Sequence, residues 1–211
     1  MKLIKLSLAA ALAVTVAHAE MSDVGVSANM ALTSNYVWRG MTQTSNAPAI
    51  QGGVDLDYNG LYLGVWGSNI DFASSLELDV YAGYAGEISG FGYDVGICQY
   101  MYPNDTEANN FAEAYLGLSY DFTGFGVGAK YYMGIETNEI DPTDAWEVSA
   151  SAELPAGFGV EATYGDYDEV TPYYLVALTK SYGKFDFSVA YTDATDLDDS
   201  DNIVATVGTS F

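Results

Sequence analysis

Apolar and polar residues alternate along almost the whole chain, from Val24 to Phe211. In the run that begins at Val24, apolar side chains occupy the even positions, and small or polar side chains occupy most of the odd ones. A period of two is typical of β-strands whose two faces meet different environments. Twelve such runs can be counted, so the sequence predicts an all-β protein of about twelve strands.

The links between these runs alternate in kind. Every second link is a short turn, such as Asn59-Gly60 or Ser89-Gly90, and glycine-containing pairs of this kind favour tight hairpins. The other links are longer and acidic: 103–110, 134–144, 165–172 and 193–202. Short turns at one end and long loops at the other are typical of an antiparallel transmembrane β-barrel, with short periplasmic turns and longer acidic extracellular loops.

The first nineteen residues have the layout of a secretory signal peptide. Lys2 and Lys5 precede an apolar run that ends at Ala17-His18-Ala19, a small-residue cleavage pattern. The run is too short for a membrane helix, which needs about 20 apolar residues. We therefore expect a signal peptide over 1–19, one barrel domain over 20–211, and the bacterial outer membrane as the location.

A soluble β-sandwich also shows alternation, and three features favour the membrane barrel over it. The polar face combines carboxylates with Gly and Ser and has few Lys, which suits a wet interior. The chain ends on a strand with Phe211. Aromatic residues recur near strand ends, as in the girdles of membrane barrels: Tyr36, Trp38, Tyr58, Trp66, Tyr84, Tyr120, Tyr131, Trp146, Phe158, Tyr164, Tyr182 and Tyr191.

The charges of the polar face are the predicted pore lining. Without the leader, 4 Lys and Arg stand against 29 Asp and Glu, a net charge of −25. The inward parity places two bases and nine acids in the lumen, with Lys180 as a further candidate base. The predicted pore-lining residues are Arg39, Asp55, Asp57, Glu77, Asp79, Asp94, Glu113, Lys130, Glu147, Glu161 and Asp186.

Arg39 is the only arginine of the chain. Its odd parity predicts an inward side chain at the outer mouth, above a girdle formed by Tyr36 and Trp38. A guanidinium offers five donors in a fixed fork, so we expect it to bridge carboxylates. The predicted partners are Asp55, Asp57 and Asp71; the alternative is an interfacial arginine that touches lipid phosphate.

The surroundings of Arg39 also carry a family likeness. The segment Tyr36-x-x-Arg39-Gly40-x-Thr42-Gln43-Thr44, followed by Pro48-Ala49-x-Gln51-Gly52-Gly53, resembles the opening of the TorF-type family of proteobacterial outer-membrane porins. Residues 63–69, 81–87 and 93–96 match it further, and 128–132 and 185–191 match it loosely. This resemblance implies an outer-membrane barrel and a porin function, and it implies no catalytic residues.

Several other classes of function are disfavoured. The only histidine, His18, belongs to the predicted leader, so Ser-His catalysis is excluded and we expect no enzyme and no cofactor. Paired carboxylates such as Glu77 and Asp79 remain an alternative for glycosidase chemistry, but a solvated pore wall is the expected role. The acidic run 193–201 lacks the Gly and Glu of a calcium loop, so we expect a solvated loop and no defined metal site, with weak divalent-ion binding at the lipopolysaccharide surface as the alternative. The negative charge disfavours nucleic acid.

Two functional hypotheses follow. The first is a porin-like channel for passive diffusion of small solutes or ions, with modest cation selectivity, because about twelve strands leave a narrow lumen. The alternative is a closed barrel with a structural or surface-interaction role, plugged by inward groups such as Tyr62, Trp66, Tyr81, Tyr115 and Tyr132. The expected partners are outer-membrane lipid and lipopolysaccharide, and a homo-oligomer is expected only because porins often form trimers.

Overall fold

The structure is a computed structural model that describes residues 24–72, 74–103, 109–136 and 142–211. The predicted signal peptide, 1–19, lies outside the described residues, and so do 104–108 and 137–141 of two predicted outer loops. Among the described residues, no helix is long and apolar enough to cross a membrane.

The described chain consists mainly of β-strands, as the alternation predicts. One short 3₁₀ turn spans Pro155–Gly157. The strands are β1 (Gly25–Thr33), β2 (Val37–Trp38), β3 (Met41–Thr42), β4 (Ala49–Tyr58), β5 (Leu61–Asn69), β6 (Leu76–Ile88), β7 (Phe91–Met101), β8 (Phe111–Asp121), β9 (Phe125–Ile135), β10 (Ala145–Leu154), β11 (Phe158–Tyr167), β12 (Thr171–Tyr182), β13 (Phe185–Ala194) and β14 (Asn202–Ser210).

Twelve of these strands, β1 and β4 to β14, form one closed antiparallel barrel. Each strand pairs with its neighbour in sequence, and β1 closes the barrel by pairing with β14 over Asn29–Thr33 and Thr206–Ser210. The backbone of Phe211 extends this seam with hydrogen bonds to Ala28 of 2.9 and 3.2 Å. The predicted fold class and strand number are therefore confirmed, and β2 and β3 form a separate two-stranded hairpin.

The two ends of the barrel differ as predicted. At one end, the turn end, strands are joined by tight turns such as Asn59-Gly60 and Ser89-Gly90, whose residues all have positive φ. At the other end, the loop end, the connections are mostly longer. One predicted loop is wrong in length, since β11 continues to Tyr167 and β12 begins at Thr171. The predicted loop 165–172 is thus a three-residue turn, because both strands pair to their ends.

The outer face of the barrel is apolar and exposed, and it includes most of the predicted girdle aromatics. Leu32, Ile50 and Leu118 are each more than half exposed, although they are apolar. Three predicted girdle residues are misplaced: Tyr36, Trp38 and Trp66 lie inside the barrel. Alternation continued from β1 placed Tyr36 and Trp38 on the outer face, but the chain leaves the barrel wall after Thr33. Trp66 has the parity of the inward-facing residues of β5.

The inner wall contains rows of tyrosines that lie flat over glycines. Asp55, Gly64 and Tyr81 are register partners on β4, β5 and β6, and the Tyr81 hydroxyl donates across the glycine to Asp55. The same acid–glycine–tyrosine order recurs in Glu147, Gly165 and Tyr173 on β10 to β12, where the hydroxyl–carboxylate distance is 2.8 Å.

A third row holds tyrosines at both ends. Tyr62 and Tyr115 lie over Gly83 and Gly96, and their hydroxyl oxygens are 2.5 Å apart. A side chain at such a glycine would occupy the space of the ring. The glycines therefore let bulky rings cover the wall while the centre of the lumen stays open.

Gly64→Ala tests this packing. An added Cβ would lie 2.2 Å from Cζ of Tyr81, so the ring must swing into the lumen and leave the buried Asp55 without its donor. We expect a loss of about 1–3 kcal/mol in the free energy of unfolding, measured by urea titration in detergent micelles.

The control is Gly117→Ala, on the inner face of β8, because its new Cβ would make only ordinary contacts of 3.6 Å or more. The control should change the unfolding free energy by less than about 0.5 kcal/mol. Equal effects from the two substitutions would contradict the role of Gly64.

Candidate pore constriction

The chain between β1 and β4 forms a hairpin inside the barrel, which we call the lumen hairpin (residues 34–48). Its two short strands, β2 and β3, are joined by Arg39 and Gly40, whose φ values are 48° and 80°. Positive φ at both central residues is typical of the tightest hairpin turns. A Cβ at Gly40 would lie 2.8 Å from the carbonyl oxygen of Asp193 on β13, so only glycine fits there.

The polar residues around Arg39 fold the base of the lumen hairpin. The Asn35 carboxamide oxygen accepts hydrogen bonds from Thr42 at 2.7 Å and Thr44 at 2.9 Å. Its amide nitrogen donates to Asn46 at 2.9 Å and to Asn202 on β14 at 3.0 Å. One buried amide thus links both arms of the hairpin to the barrel wall, which explains the polar run in this part of the sequence.

At its tip, the lumen hairpin is fixed by an ion pair. Nη1 and Nη2 of Arg39 lie 2.7 and 2.9 Å from the two carboxylate oxygens of Glu113 on β8. Both residues are buried, with 6% of Arg39 and 0% of Glu113 exposed. The bidentate geometry uses the planar fork of arginine, which a lysine cannot reproduce.

Aromatic rings surround the guanidinium. Its Cζ lies 4.3 Å from the ring centroid of Trp38, 4.7 Å from that of Tyr132 and 4.8 Å from that of Tyr167. Such contacts add cation–π attraction where water is excluded. Burial is the largest single influence on the pKa of Arg39 and lowers it. The charge and hydrogen bonds of Glu113, together with Tyr100 and Tyr173, raise the pKa above its usual value, so the guanidinium stays charged.

This geometry corrects the predicted partners of Arg39. The side chain points into the lumen near the loop end, but it pairs with Glu113 and not with Asp55, Asp57 or Asp71. The prediction failed because it placed Arg39 on a barrel strand beside β4. The lumen hairpin instead carries Arg39 across to β8, far from β1 and β4 in the order of the barrel strands.

The other arm of the hairpin contacts the wall through Tyr36. Its hydroxyl donates to Glu77 on β6 at 2.5 Å, and its ring packs edge-on against Trp66 at 5.5 Å between centroids. Burial raises the pKa of Tyr36 well above its usual value, and the carboxylates of Glu77 and Asp79 raise it further. Tyr36 therefore keeps its proton and serves as a hydrogen-bond donor.

The lumen hairpin lies between two cavities. The inner chamber, of about 700 Å³, extends from Trp38, Arg39 and Gly40 towards the turn end, where Gly60 and Ala85 line it. The outer cavity, of about 260 Å³, is lined by Glu77, Phe72 and Tyr102 among others. Trp38 and Tyr100 line both, so these two rings form the boundary at which the lumen narrows.

The structure places the predicted pore-lining residues at different depths. Glu77 lines the outer cavity, and Asp186 is exposed near the turn end. Asp55 is buried against Tyr81, and Glu113 is buried against Arg39. Glu161 is half-buried, and its register partners on β10 and β12 face inward. Six line the inner chamber: Arg39, Asp57, Asp79, Asp94, Lys130 and Glu147.

Lys130 is the second base of the lumen. Its ammonium lies 3.4 Å from Asp94 and 3.9 Å from the ring centroid of Tyr115. The further candidate, Lys180, does not face the lumen. It shares the outward parity of Val176 and Leu178 and donates to the carbonyl oxygen of Ala156.

Sequence reasoning missed the residues that join the hairpin to the wall. Trp38, Tyr100 and Tyr167 contact one another or Arg39, although they are far apart in the chain. The available signal was Gly40 directly after Arg39, between Val37-Trp38 and Met41-Thr42, because a glycine in a two-residue link permits a tight hairpin turn. Among the described residues, no group of three or more His, Cys, Asp and Glu is arranged to hold a metal ion.

Comparisons with known proteins agree with this architecture. The model of a family described as "Bacterial protein of unknown function (Gcw_chp)" matches residues 17–206. No sequence among the curated proteins matches the chain.

Solved structures with the same fold include outer-membrane proteins of different function. KdgM porin is 14% identical, with a TM-score of 0.61 over 88% of this chain and 98% of that one. The KdgM porin in complex with disordered oligogalacturonate is also 14% identical, with a TM-score of 0.57 over 88% of this chain and 97% of that one. Outer membrane phospholipase A from Escherichia coli is 9% identical, with a TM-score of 0.52 over 92% and 93% of the two chains. At these identities, the likeness shows a shared fold.

Replacement of either member of the Arg39–Glu113 pair should destabilise the protein. In Arg39→Ala, the fully buried Glu113 loses its cationic partner and keeps only the 3.2 Å hydrogen bond from Tyr100. Removing one member of a buried ion pair typically costs about 3–5 kcal/mol in the free energy of unfolding. Urea titration of the refolded barrel measures this loss.

A double-mutant cycle isolates the pair. Adding Glu113→Gln to Arg39→Ala should restore part of the lost stability, because the uncompensated charge is gone. Arg39→Lys should fall between the wild type and Arg39→Ala, since it keeps the charge but loses the fork. Strictly additive single effects would contradict direct coupling.

Proposed function

Since the chain belongs to the Gcw_chp family of bacterial proteins and closes into a twelve-stranded barrel, we propose that it is an outer-membrane channel for passive diffusion of small solutes, with a preference for cations. The observation that carries this proposal is the inner chamber, a space of about 700 Å³ lined by carboxylates inside an apolar exterior. The loop end is then extracellular and the turn end periplasmic, as in other outer-membrane barrels.

The exterior supports a membrane location. Exposed Leu, Ile, Val and Phe side chains would be costly in water over a surface of this extent, whereas lipid tails solvate them. In a closed barrel, the backbone N–H and C=O groups of each strand form hydrogen bonds with neighbouring strands, as crossing a bilayer requires. The resemblance of residues 36–53 to TorF-type porins supports the same function and stays a prediction.

The charges of the lumen support cation preference. Nine predicted pore-lining carboxylates stand against two bases, Arg39 and Lys130, so acidic groups outnumber basic ones in the lumen. Low-dielectric walls concentrate the field of such charges, so the local cation concentration rises and anions are repelled.

The acidic lumen also bears on whether this chain would admit the ligand with which one structural neighbour was solved. The KdgM porin was solved with oligogalacturonate, a chain of uronic acids and hence a polyanion. The same polyanion would be repelled by the acidic inner chamber. We therefore expect neutral or positively charged solutes in this protein.

An enzymatic role is less well supported, although outer membrane phospholipase A shares the fold. Outer-membrane barrel enzymes mostly use histidine as general base, and the only histidine of this chain is His18 in the predicted leader. The inward carboxylates are engaged with tyrosine hydroxyls or bases in several cases, as Glu147 is with Tyr132 and Tyr173. Such pairing suits a wall better than a pair of reacting acids.

The second candidate, a closed barrel with a surface role, is favoured by the lumen hairpin itself. Its tip is bound to β8 by a bidentate pair, and its base is hydrogen-bonded to β14. A hairpin that never moved would leave the outer loops as the working surface.

Planar-bilayer recording separates the two candidates. The channel should give small unitary currents in KCl. In a KCl gradient, the reversal potential should lie closer to the equilibrium potential of potassium than to that of chloride. Arg39→Ala should raise the conductance and the cation preference, because it frees the hairpin tip and removes a positive charge from the constriction. The absence of current from a folded barrel would contradict the channel, and a reversal potential closer to the equilibrium potential of chloride would contradict its cation preference.

The single cysteine offers an independent measurement. Cys98 is half-buried and lines the inner chamber, beyond the hairpin as seen from the outside. On intact cells, cationic trimethylammonioethyl methanethiosulfonate should modify it roughly tenfold faster than the anionic sulfonatoethyl reagent, because the chamber concentrates cations.

Arg39→Ala should accelerate both labelling reactions. Cys98→Ser is the control for non-specific labelling, because it removes the only thiol. Equal rates for the two reagents would contradict an acidic access path. A wild-type protein that stays unlabelled, while Arg39→Ala reacts, would favour the closed barrel.

A further inference from the structure

We infer that the Asp79 carboxylate binds an organic ammonium group, so that the solutes of the inner chamber include small primary amines. The inference rests on the proposed channel function and names its solute class. It starts from one inward residue, Asp79, whose carboxyl group is buried with one oxygen that has no hydrogen-bond partner among the described residues.

Asp79 is buried but incompletely bonded. Only 4% of the residue is exposed, and its Oδ1 has no hydrogen-bond partner among the described residues. Other carboxylates of the lumen do have donors: Tyr36 donates to Glu77, Tyr62 to Asp94, and Arg39 to Glu113. A buried carboxylate without a donor is costly, so a cationic ligand that supplies N–H groups would be bound favourably.

The surroundings of Asp79 suit an ammonium group. Its register partners are Trp66 on β5 and Tyr100 on β7, so an aromatic ring follows the carboxylate on each side along the wall. Asp79, Tyr100 and Trp38 all line the inner chamber, which gives a ligand access. An ammonium beside the rings of Tyr100 and Trp38 would gain cation–π attraction, and the Asp79 carboxylate would neutralise its charge.

The cationic side chains of the lumen are bound by the same combination of a carboxylate and aromatic rings. Lys130 places a primary ammonium 3.4 Å from a carboxylate and 3.9 Å from a tyrosine ring centroid. Arg39 combines a carboxylate with three rings. Asp79 with its two aromatic neighbours repeats this combination without the cation.

The site also lies where a permeating solute must pass. Glu77 and Asp79 are two residues apart on the inner face of β6, and they line the outer cavity and the inner chamber respectively. The boundary between these spaces is formed by Trp38 and Tyr100. An ammonium could therefore move from one carboxylate to the next past two rings.

Tryptophan fluorescence tests binding directly. Trp38 lies at this boundary, Trp66 is the register partner of Asp79 in the buried cluster against which Trp38 packs, and Trp146 is 40% exposed on the outer face. Titration of the refolded full chain in micelles with n-butylammonium chloride, at constant ionic strength against NaCl, should give a saturable change. n-Butanol, which has the same chain without the charge, should not.

The variants isolate the carboxylate. Asp79→Asn keeps the shape and removes the charge, so it should weaken n-butylammonium binding at least tenfold, whereas Asp79→Glu should retain most of it. Asp121→Asn is the matched control, because Asp121 lies at the turn end of β8. Heat-modifiable gel mobility checks that each variant is folded. Unchanged binding in folded Asp79→Asn, or equal competition by NaCl or MgCl₂, would overturn the ammonium site.

Bilayer currents distinguish this inference from the channel proposal. n-Butylammonium should partly block the potassium current of the wild type, and Asp79→Asn should relieve the block. A conducting barrel with the same block in both proteins would overturn the site and leave the channel. A silent barrel whose fluorescence response disappears in Asp79→Asn would overturn the channel and leave the site.

Discussion

The bidentate pair between Arg39 and Glu113 determines the internal organisation of this barrel. A fully buried carboxylate is stable here only because a guanidinium reaches it, and the guanidinium reaches it only because the lumen hairpin crosses the barrel. Three aromatic rings then exclude water around the pair. One strong local interaction thus divides the lumen into an outer cavity and an inner chamber.

The wall of the barrel solves a different problem, since twelve short strands enclose more space than backbone alone can line. Tyrosines cover the wall by lying over the glycines of neighbouring strands, and their hydroxyls reach carboxylates one strand further on. The rings therefore add apolar packing and hydrogen-bond donors without filling the lumen. Polar, acidic space remains in the middle, which is the condition for a diffusion path.

In the channel that we propose, selectivity and width would have separate origins. The proposed cation preference rests on inward carboxylates distributed over many strands, so no single residue would determine it. Its width is set at one level, where Trp38 and Tyr100 separate the two spaces. Near that level lies Asp79, a buried carboxyl group that lines the inner chamber and whose Oδ1 has no hydrogen-bond partner among the described residues.

By itself, the sequence determined the features that depend on local periodicity. Alternation determined the barrel strands, their number and the face that most of their side chains take, because a strand has a fixed period of two. Glycine-containing turns located the turn end. The same parity assigns Glu77, Asp79 and Glu113 to the inner face.

Only the tertiary structure decided which of these residues meet. Arg39 was correctly expected to point inward and to seek a carboxylate, but its partner lies on β8, a strand that no local pattern connects with residue 39. Tyr36 and Trp38 continued the outward parity and yet lie inside, because the chain turns into the lumen after Thr33. The tyrosine–glycine rows likewise depend on strand register, which long-range pairing sets. Periodicity is local, whereas closure of the barrel brings distant segments together, and the constriction is made of those distant contacts.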